Sequence, residues 1–384
     1  MARKRVCIVA TVPYALLFFM REHVAKISEY YDVMLICSGD ERELTGMLND
    51  HVKFISVRIE RKISILADIL AFVSLLRIFR RYQFDCIHSV TPKAALLAMV
   101  AAWVIQIKVR IHIFTGQIWV AKTGLVRRIL ILMDRLVSVC ATDLLADSSS
   151  QRDFLIAEKI VDPRKISVLA NGSISGVDVN RFKYDVSQRL TIREKFGIGV
   201  DDVVFLFLAR LTRIKGIVDL TTAFVGIANV MPKAHLIVIG PDEDRLLPLL
   251  EKMWENCKDK IHRVNFTDQP ESYMSAADVF CLPSYLEGFS SATIQAAGVG
   301  LPAIVSRIYG LTDAVKSDVT GIFHETGAIG QMQDAMKLLY ADSELRKKMG
   351  NAAHRRAYED FPQELVVEAM RIFYEERLGV QPIR

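Results

Sequence analysis

Short apolar runs rich in β-branched residues alternate with longer helical patterns along this chain, and the alternation runs twice. The runs 5–10, 33–37, 53–57, 84–88, 109–114 and 143–147 read as strands, with helical stretches at 17–30, 62–81, 92–104 and 124–139 between them. The pattern restarts at VVFLFLAR (203–210) and continues through strands at 235–240, 262–266, 278–283, 302–306 and 321–325. Helical stretches at 216–230, 244–257, 270–276 and 290–299 separate these. Strands buried on both faces read as unbroken apolar runs, and alternation with helices sets them side by side in parallel. The fold class expected is therefore α/β, with two Rossmann-like doubly wound domains in tandem. Asn, Gly, Ser and Asp accumulate around 171–200, as in a linker. The domains are expected at 1–175 and 176–360, and the terminal segment 361–384, helical over 361–378, is expected to pack back towards the first. At 384 residues and 51% hydrophobic content, the chain can fill two cores. Ligands of open α/β sheets bind at the carboxyl ends of the strands, so two such sheets are expected to face a deep cleft.

Charge is unevenly placed. Residues 1–184 hold 26 Lys and Arg against 17 Asp and Glu, whereas 185–384 hold 23 against 27. A basic first half suits an anionic partner or an anionic membrane surface. Nucleic acid is not expected, because the basic residues form no dense run interleaved with aromatics. The six cysteines are scattered without a C-x-x-C pair, which reads as buried thiols in a reducing cytoplasm and not as a zinc site. The N-terminal VCIVAT reads as a buried strand and not as part of a signal peptide, since Pro13 interrupts the apolar stretch. The longest apolar run, AALLAMVAAWVIQI (94–107), is too short for a membrane span and reads as a core helix or an interfacial segment.

Two segments could carry chemistry. LARLTRIKG (208–216) leaves a strand and opens a helix, which puts Arg210 and Lys215 beside a helix N-terminus. A guanidinium fork and an ammonium at such a place suit a diphosphate, and the segment alone is equally compatible with ordinary surface charges. CLPSYLEGFSSATIQAAGVGLP (281–302) runs from a strand through Glu287 into a helix starting near Ser290 or Ser291. Backbone N–H groups from Gly288 through Phe289 and Ser290 to Ser291 would face an anion or sugar hydroxyls, and Glu287 can accept from a vicinal diol. Gln295 would lie about two turns into that helix. The acids at Asp201-Asp202 and Asp242-Glu243-Asp244 lack ligand spacing and read as loop acids, so no metal is expected.

The order R-x-x-x-x-K-G, IGPDED, Y-M-S-A-A-D-V-F-C-L-P-S-Y-L-E-G-F and G-x-P-A-I-V-S resembles the C-terminal domain of the family 4 retaining glycosyltransferases of the GT-B fold. FTGQIWVAKTG (114–124) and ADSSSQRDFL (146–155) resemble the family's bacterial O-antigen and capsule branch. The resemblance implies a transferase without cofactor or metal. Arg210 and Lys215 would hold the donor diphosphate, Glu287 the donor sugar, and Gly288, Phe289, Ser290 and Ser291 would offer donors to sugar and phosphate. Gln295 replaces the second acid of the family's E-x7-E motif, which binds the nucleotide ribose; its amide lacks charge-assisted strength. In the first domain, TVPYALLF (11–18) replaces a Gly-Gly loop, and Thr115-Gly116-Gln117 replaces a His-Gly pair. These three residues, with His88 and Lys93, are the candidates for the acceptor side.

The implied partners are a UDP-sugar donor, a polyprenyl-diphosphate-linked glycan acceptor and an anionic membrane surface. The implied location is cytoplasmic, peripheral on the inner face of the plasma membrane. Residues 61–81 and 122–135 combine apolar faces with cations, which reads either as membrane-surface helices or as core helices with basic surface tips. Two other activities fit the same fold: a nucleotide-sugar 2-epimerase and a non-catalytic nucleotide-sugar binder. Replacing Arg210 or Lys215 by Ala is expected to abolish turnover and leave the fold intact.

Overall fold

The computed structural model describes residues 3–61 and 64–379. Lys62 and Ile63 of the expected 62–81 helix, and 380–384 of the terminal segment, lie outside the described residues. The chain divides into two compact units: one takes in the residues up to Ser175 and those from Glu364 onward, the other Gly176–Gln363.

The first unit holds seven parallel strands: β1 (Arg5–Val9), β2 (Asp32–Cys37), β3 (Val52–Ser56), β4 (Cys86–Ser89), β5 (Val109–Phe114), β6 (Asp143–Ala146) and β7 (Ile166–Val168). Their order is β3-β2-β1-β4-β5-β6-β7, so the winding reverses between β1 and β4. β7 was not expected; three residues are too few to show a pattern. The stretch read as one helix over 17–30 is two, Pro13–Phe19 and Arg21–Ile27, meeting at Met20. Pro13 starts the first, because its fixed φ and missing N–H cost nothing at a first helical position. Three longer helices cover one face: Pro92–Val104, which is alanine-rich and largely buried, packs between Ile65–Tyr82 and Gly124–Cys140.

The second unit holds β8 (Val203–Leu208), β9 (Ala234–Ile239), β10 (Ile261–Val264), β11 (Val279–Leu282), β12 (Ala303–Ser306) and β13 (Gly321–His324), all parallel. The order β10-β9-β8-β11-β12-β13 again reverses beside the first strand, between β8 and β11. The expected linker ends earlier than 200. Val186–Lys195 is a helix of this unit, capped by Asp185, whose carboxylate accepts from Ser187 and Gln188 N–H at 2.8 and 3.0 Å. Arg193 on it is buried and donates to Asp278 Oδ2 at 2.6 Å, just before β11. The helix expected at 244–257 begins only at Leu247, because Asp242 takes the N–H groups of Leu246 and Leu247.

The last helix, Gln363–Leu378, contributes to the core of the first unit. Met370, Phe373, Tyr374 and Leu378 are buried in one cluster with β1, β2 and the Arg21–Ile27 helix. The Tyr374 hydroxyl meets His88 Nδ1 at 2.7 Å, and Arg377 Nε donates to Asp143 Oδ1 at 3.0 Å. Tyr374→Ala should cost about 3–5 kcal/mol, the usual range for emptying a buried aromatic site. Tyr374→Phe should cost about 1–3 kcal/mol, by leaving His88 unpaired. Urea unfolding of the two variants checks the ranking.

Candidate functional site

The strand reversal between β8 and β11 leaves a crevice at their carboxyl ends, which the two connections must line. After β8 the chain runs 209–216; after β11 it runs 283–290. The connections are tied together: Tyr285 N–H donates to the Ile214 carbonyl at 2.7 Å, and Ser284 Oγ donates to the same oxygen at 3.2 Å. Gly216 makes the tie possible. Its φ is +73°, and a Cβ there would run into the Pro283 carbonyl, so only glycine lets the helix Ile217–Ile227 start this close.

Across this junction Lys215 Nζ lies 2.6 Å from Glu287 Oε1. The side chains are only 17% and 9% exposed, so water screens them little. Arg210 sits at the rim of the same crevice, half exposed, with its guanidinium 2.6 Å from Glu243 Oε2. The helix Ser291–Val299 begins just past Glu287, and Ser290 caps it by accepting from Thr293 N–H at 3.3 Å. The N–H groups of Phe289, Ser290 and Ser291 have no acceptor among the described residues. They stand where a helix attracts negative charge. Phe289 is buried edge-on against Phe361, which fixes this turn from below. Gln295 is the fifth residue of the helix, half-buried and one turn from its start; the expected two turns shrink because the loop up to Ser290 is not helical.

The structure therefore brings Lys215, Glu287, Phe289, Ser290 and Ser291 together, with Arg210 at the edge. It also corrects the expectation that Lys215→Ala leaves the fold intact, since that change strands Glu287 as a buried, unpaired charge. Sequence reading missed Tyr285, whose hydroxyl donates to Asp219 Oδ2 at 2.5 Å and ties the β11 connection to the Ile217–Ile227 helix. Glu243 lies in a loop, as expected, but sequence reading did not show that it is a partner of Arg210. No signal along the chain couples residues 33 positions apart.

The first unit treats its candidates differently. His88 is fully buried, with Tyr374 on Nδ1, so it belongs to the core and not to an accessible acceptor site. Lys93 is paired with Asp68 at 2.7 Å, joining the Pro92–Val104 and Ile65–Tyr82 helices. Thr115 and Gly116 remain half-buried after β5, while Gln117 is buried and accepts from Gln151 Nε2 at 3.3 Å. At the β1–β4 reversal, Thr11 and Thr91 join hydroxyl to hydroxyl at 2.7 Å, a pair sequence reading did not single out. Asp147, just after β6, is buried, and burial raises its pKa well above the usual range.

Two domain models match the chain: "Glycosyl transferase 4-like domain" over residues 25–172 and "Glycosyl transferases group 1" over 188–356. The capsular polysaccharide biosynthesis glycosyltransferase CapM of Staphylococcus aureus is 26% identical over 341 residues, 88% of each chain. The UDP-Gal:alpha-D-GlcNAc-diphosphoundecaprenol alpha-1,3-galactosyltransferase of Escherichia coli is 26% identical over 335 residues, 85% of each. Among solved structures, Anabaena HepE in complex with UDP and glucose superposes with a TM-score of 0.80 at 15% identity, over 99% of this chain and all of that one.

Removing one partner of a buried ion pair costs about 3–5 kcal/mol, whereas an exposed pair contributes up to about 1 kcal/mol. Lys215→Ala and Glu287→Ala should therefore lower stability severely, and Arg210→Ala should not; chemical denaturation of the three separates them. Acid should also destabilise the protein. Burial lowers the pKa of six of the eight histidines, His88 to about 3, and His112 and His262 to about 4. A histidine held neutral in the fold contributes full stability above its unfolded pKa, near 6.5, and loses it as pH falls towards the folded value. Asp147 and Asp134, the latter raised to about 6, act in the opposite direction but are fewer. The urea midpoint should fall between pH 6.5 and 4, and His112→Asn should flatten that slope.

Proposed function

Because the chain belongs to the family 4 glycosyltransferases of the GT-B fold, we propose that it moves a sugar, with retention at the anomeric carbon, from a UDP-sugar to a lipid-linked glycan acceptor. The setting is bacterial surface polysaccharide assembly, O-antigen or capsule. One observation carries the reading: a buried cation–carboxylate pair spans the β8–β11 reversal beside three N–H groups that have no acceptor among the described residues. CapM and the E. coli relative, named for capsule and for a diphosphoundecaprenol acceptor with UDP-Gal, support the substrate classes.

In this reading Arg210 and Lys215 hold the diphosphate, with the amides of Phe289, Ser290 and Ser291 completing its cradle. Glu287 keeps one oxygen on Lys215 and offers the other to the donor sugar's hydroxyls. Gln295 faces the ribose as a neutral partner. The bond from the anomeric carbon to the diphosphate oxygen breaks, and the acceptor oxygen bonds the same face. The acceptor proton passes to the departing phosphate. The side chains position and neutralise, and none has to act as a strong base. The positive charge comes from Arg210 and Lys215, with no metal cofactor.

An anionic membrane surface is the proposed partner of the first unit. Ile65 and Leu66 on one helix are 76% and 73% exposed, and Leu125 and Leu132 on another are 71% and 61% exposed. Arg127 and Arg128 lie between the two leucines of the second set, Arg127 paired with Glu158 at 3.3 Å. Such faces lie in a bilayer interface with cations towards the headgroups. No helix of the described residues is long and apolar enough to cross a membrane. The six cysteines are buried and unpaired, which supports a cytoplasmic location.

The test is transfer from a panel of labelled UDP-, GDP- and ADP-sugars to a polyprenyl-diphosphate amino sugar in anionic vesicles. One UDP-sugar should give product with the donor's anomeric configuration, and the rate should drop in neutral vesicles or high salt. Product of inverted configuration, or none from any donor, sinks the reading.

A further inference from the structure

We propose that Glu243 is the resting counter-ion of Arg210, which the donor's diphosphate displaces and which retakes Arg210 as the nucleotide departs. The inference rests on the donor reading above and adds a residue to it. The two cations of the crevice are both paired with carboxylates at 2.6 Å, but in unlike settings. Lys215 and Glu287 are buried together, so neither leaves the other without stranding a charge. Arg210 and Glu243 are 51% and 35% exposed, so water and salt already share both groups. Of the two cations, Arg210 is the one that can exchange its partner at little cost.

The loop that carries Glu243 is fixed. Its flanking acids are occupied by backbone: Asp242 caps the helix Leu247–Trp254, and Asp244 Oδ2 accepts from Arg213 N–H at 2.9 Å. Leu211 N–H donates to the Pro241 carbonyl at 2.8 Å, and Asp244 N–H to the Leu211 carbonyl at 3.3 Å. Gly240 lets this loop close against the β8 connection, because its φ is +143° and a Cβ there would meet the Ala209 carbonyl. Of the three acids, only Glu243 reaches a cation of the crevice. Its backbone is held and its side chain is 35% exposed, so exchange moves the side chain and not the loop.

A carboxylate and a phosphate cannot both take the same face of one guanidinium without repulsion. Glu243 thus competes with the nucleotide for Arg210. It weakens the hold on donor and product alike, and it supplies Arg210 with a partner when the nucleoside diphosphate leaves.

The experiment is calorimetric titration of UDP into the wild-type protein, Glu243→Gln, Arg210→Ala and the double variant, at low and high salt. Glu243→Gln should tighten UDP roughly two- to five-fold, the range an exposed pair's free energy converts to, with a smaller gain at high salt. In the transfer assay the inhibition constant of UDP and the donor KM should fall by the same factor, and the melting temperature should not move. In the Arg210→Ala background the substitution should have no effect, since the competition needs both partners. Unchanged or weaker UDP binding by Glu243→Gln, or a gain that persists without Arg210, overturns the proposal and leaves the donor site standing. A wild-type protein that binds no nucleoside diphosphate overturns both.

Discussion

A parallel sheet cannot turn back on itself with tight hairpins, so every connection must cross a face, and the crossing direction is set by strand twist. Where the winding reverses, two neighbouring connections leave in opposite senses and part at the carboxyl edge. This protein has that reversal in both units, between β1 and β4 and between β8 and β11. Residues distant in the chain become neighbours there. Lys215 and Glu287 are 72 positions apart and meet because β8 and β11 are adjacent. The Thr11–Thr91 hydroxyl pair is the same consequence in the first unit.

The energetics at the second reversal divide into a rigid part and an adjustable one. The Lys215–Glu287 pair gains from low water content and would be expensive to break from one side. It is held by backbone ties between the two connections and by a glycine that allows their approach. Arg210 and Glu243 lie further out, where solvent levels the difference between partners. A site that must grip an anion and then let it go benefits from both kinds of contact, one to fix geometry and one to yield.

Much of this architecture is legible along the chain. Runs such as VVFLFL and HLIVIG are too apolar to be anything but buried strands, and E-G-F-S-S before a helical stretch marks a turn with open amides. What is not legible depends on partners far away. His88 reads as an acceptor-side candidate at a strand end until Tyr374, 286 positions later, claims its ring nitrogen and draws it into the core. Glu243 looks like one of three interchangeable acids, and only the fold shows that its neighbours are occupied by backbone. β7 is missed because three residues show no periodicity, and the Val186–Lys195 helix because it follows polar, turn-forming residues that read as linker.

The helix Gln363–Leu378 belongs to the unit that is otherwise built from the chain's beginning. A ribosome makes the chain in order, so the first unit emerges without the aromatic and aliphatic side chains that close its core. The second unit, Gly176–Gln363, is complete before those residues appear. During synthesis, the apolar surface around Tyr31 and Val33 therefore stays uncovered until that last helix is made. The unit begun first thus closes its core with residues made after the whole of the other, and a nascent chain should need protection at its front end until they arrive.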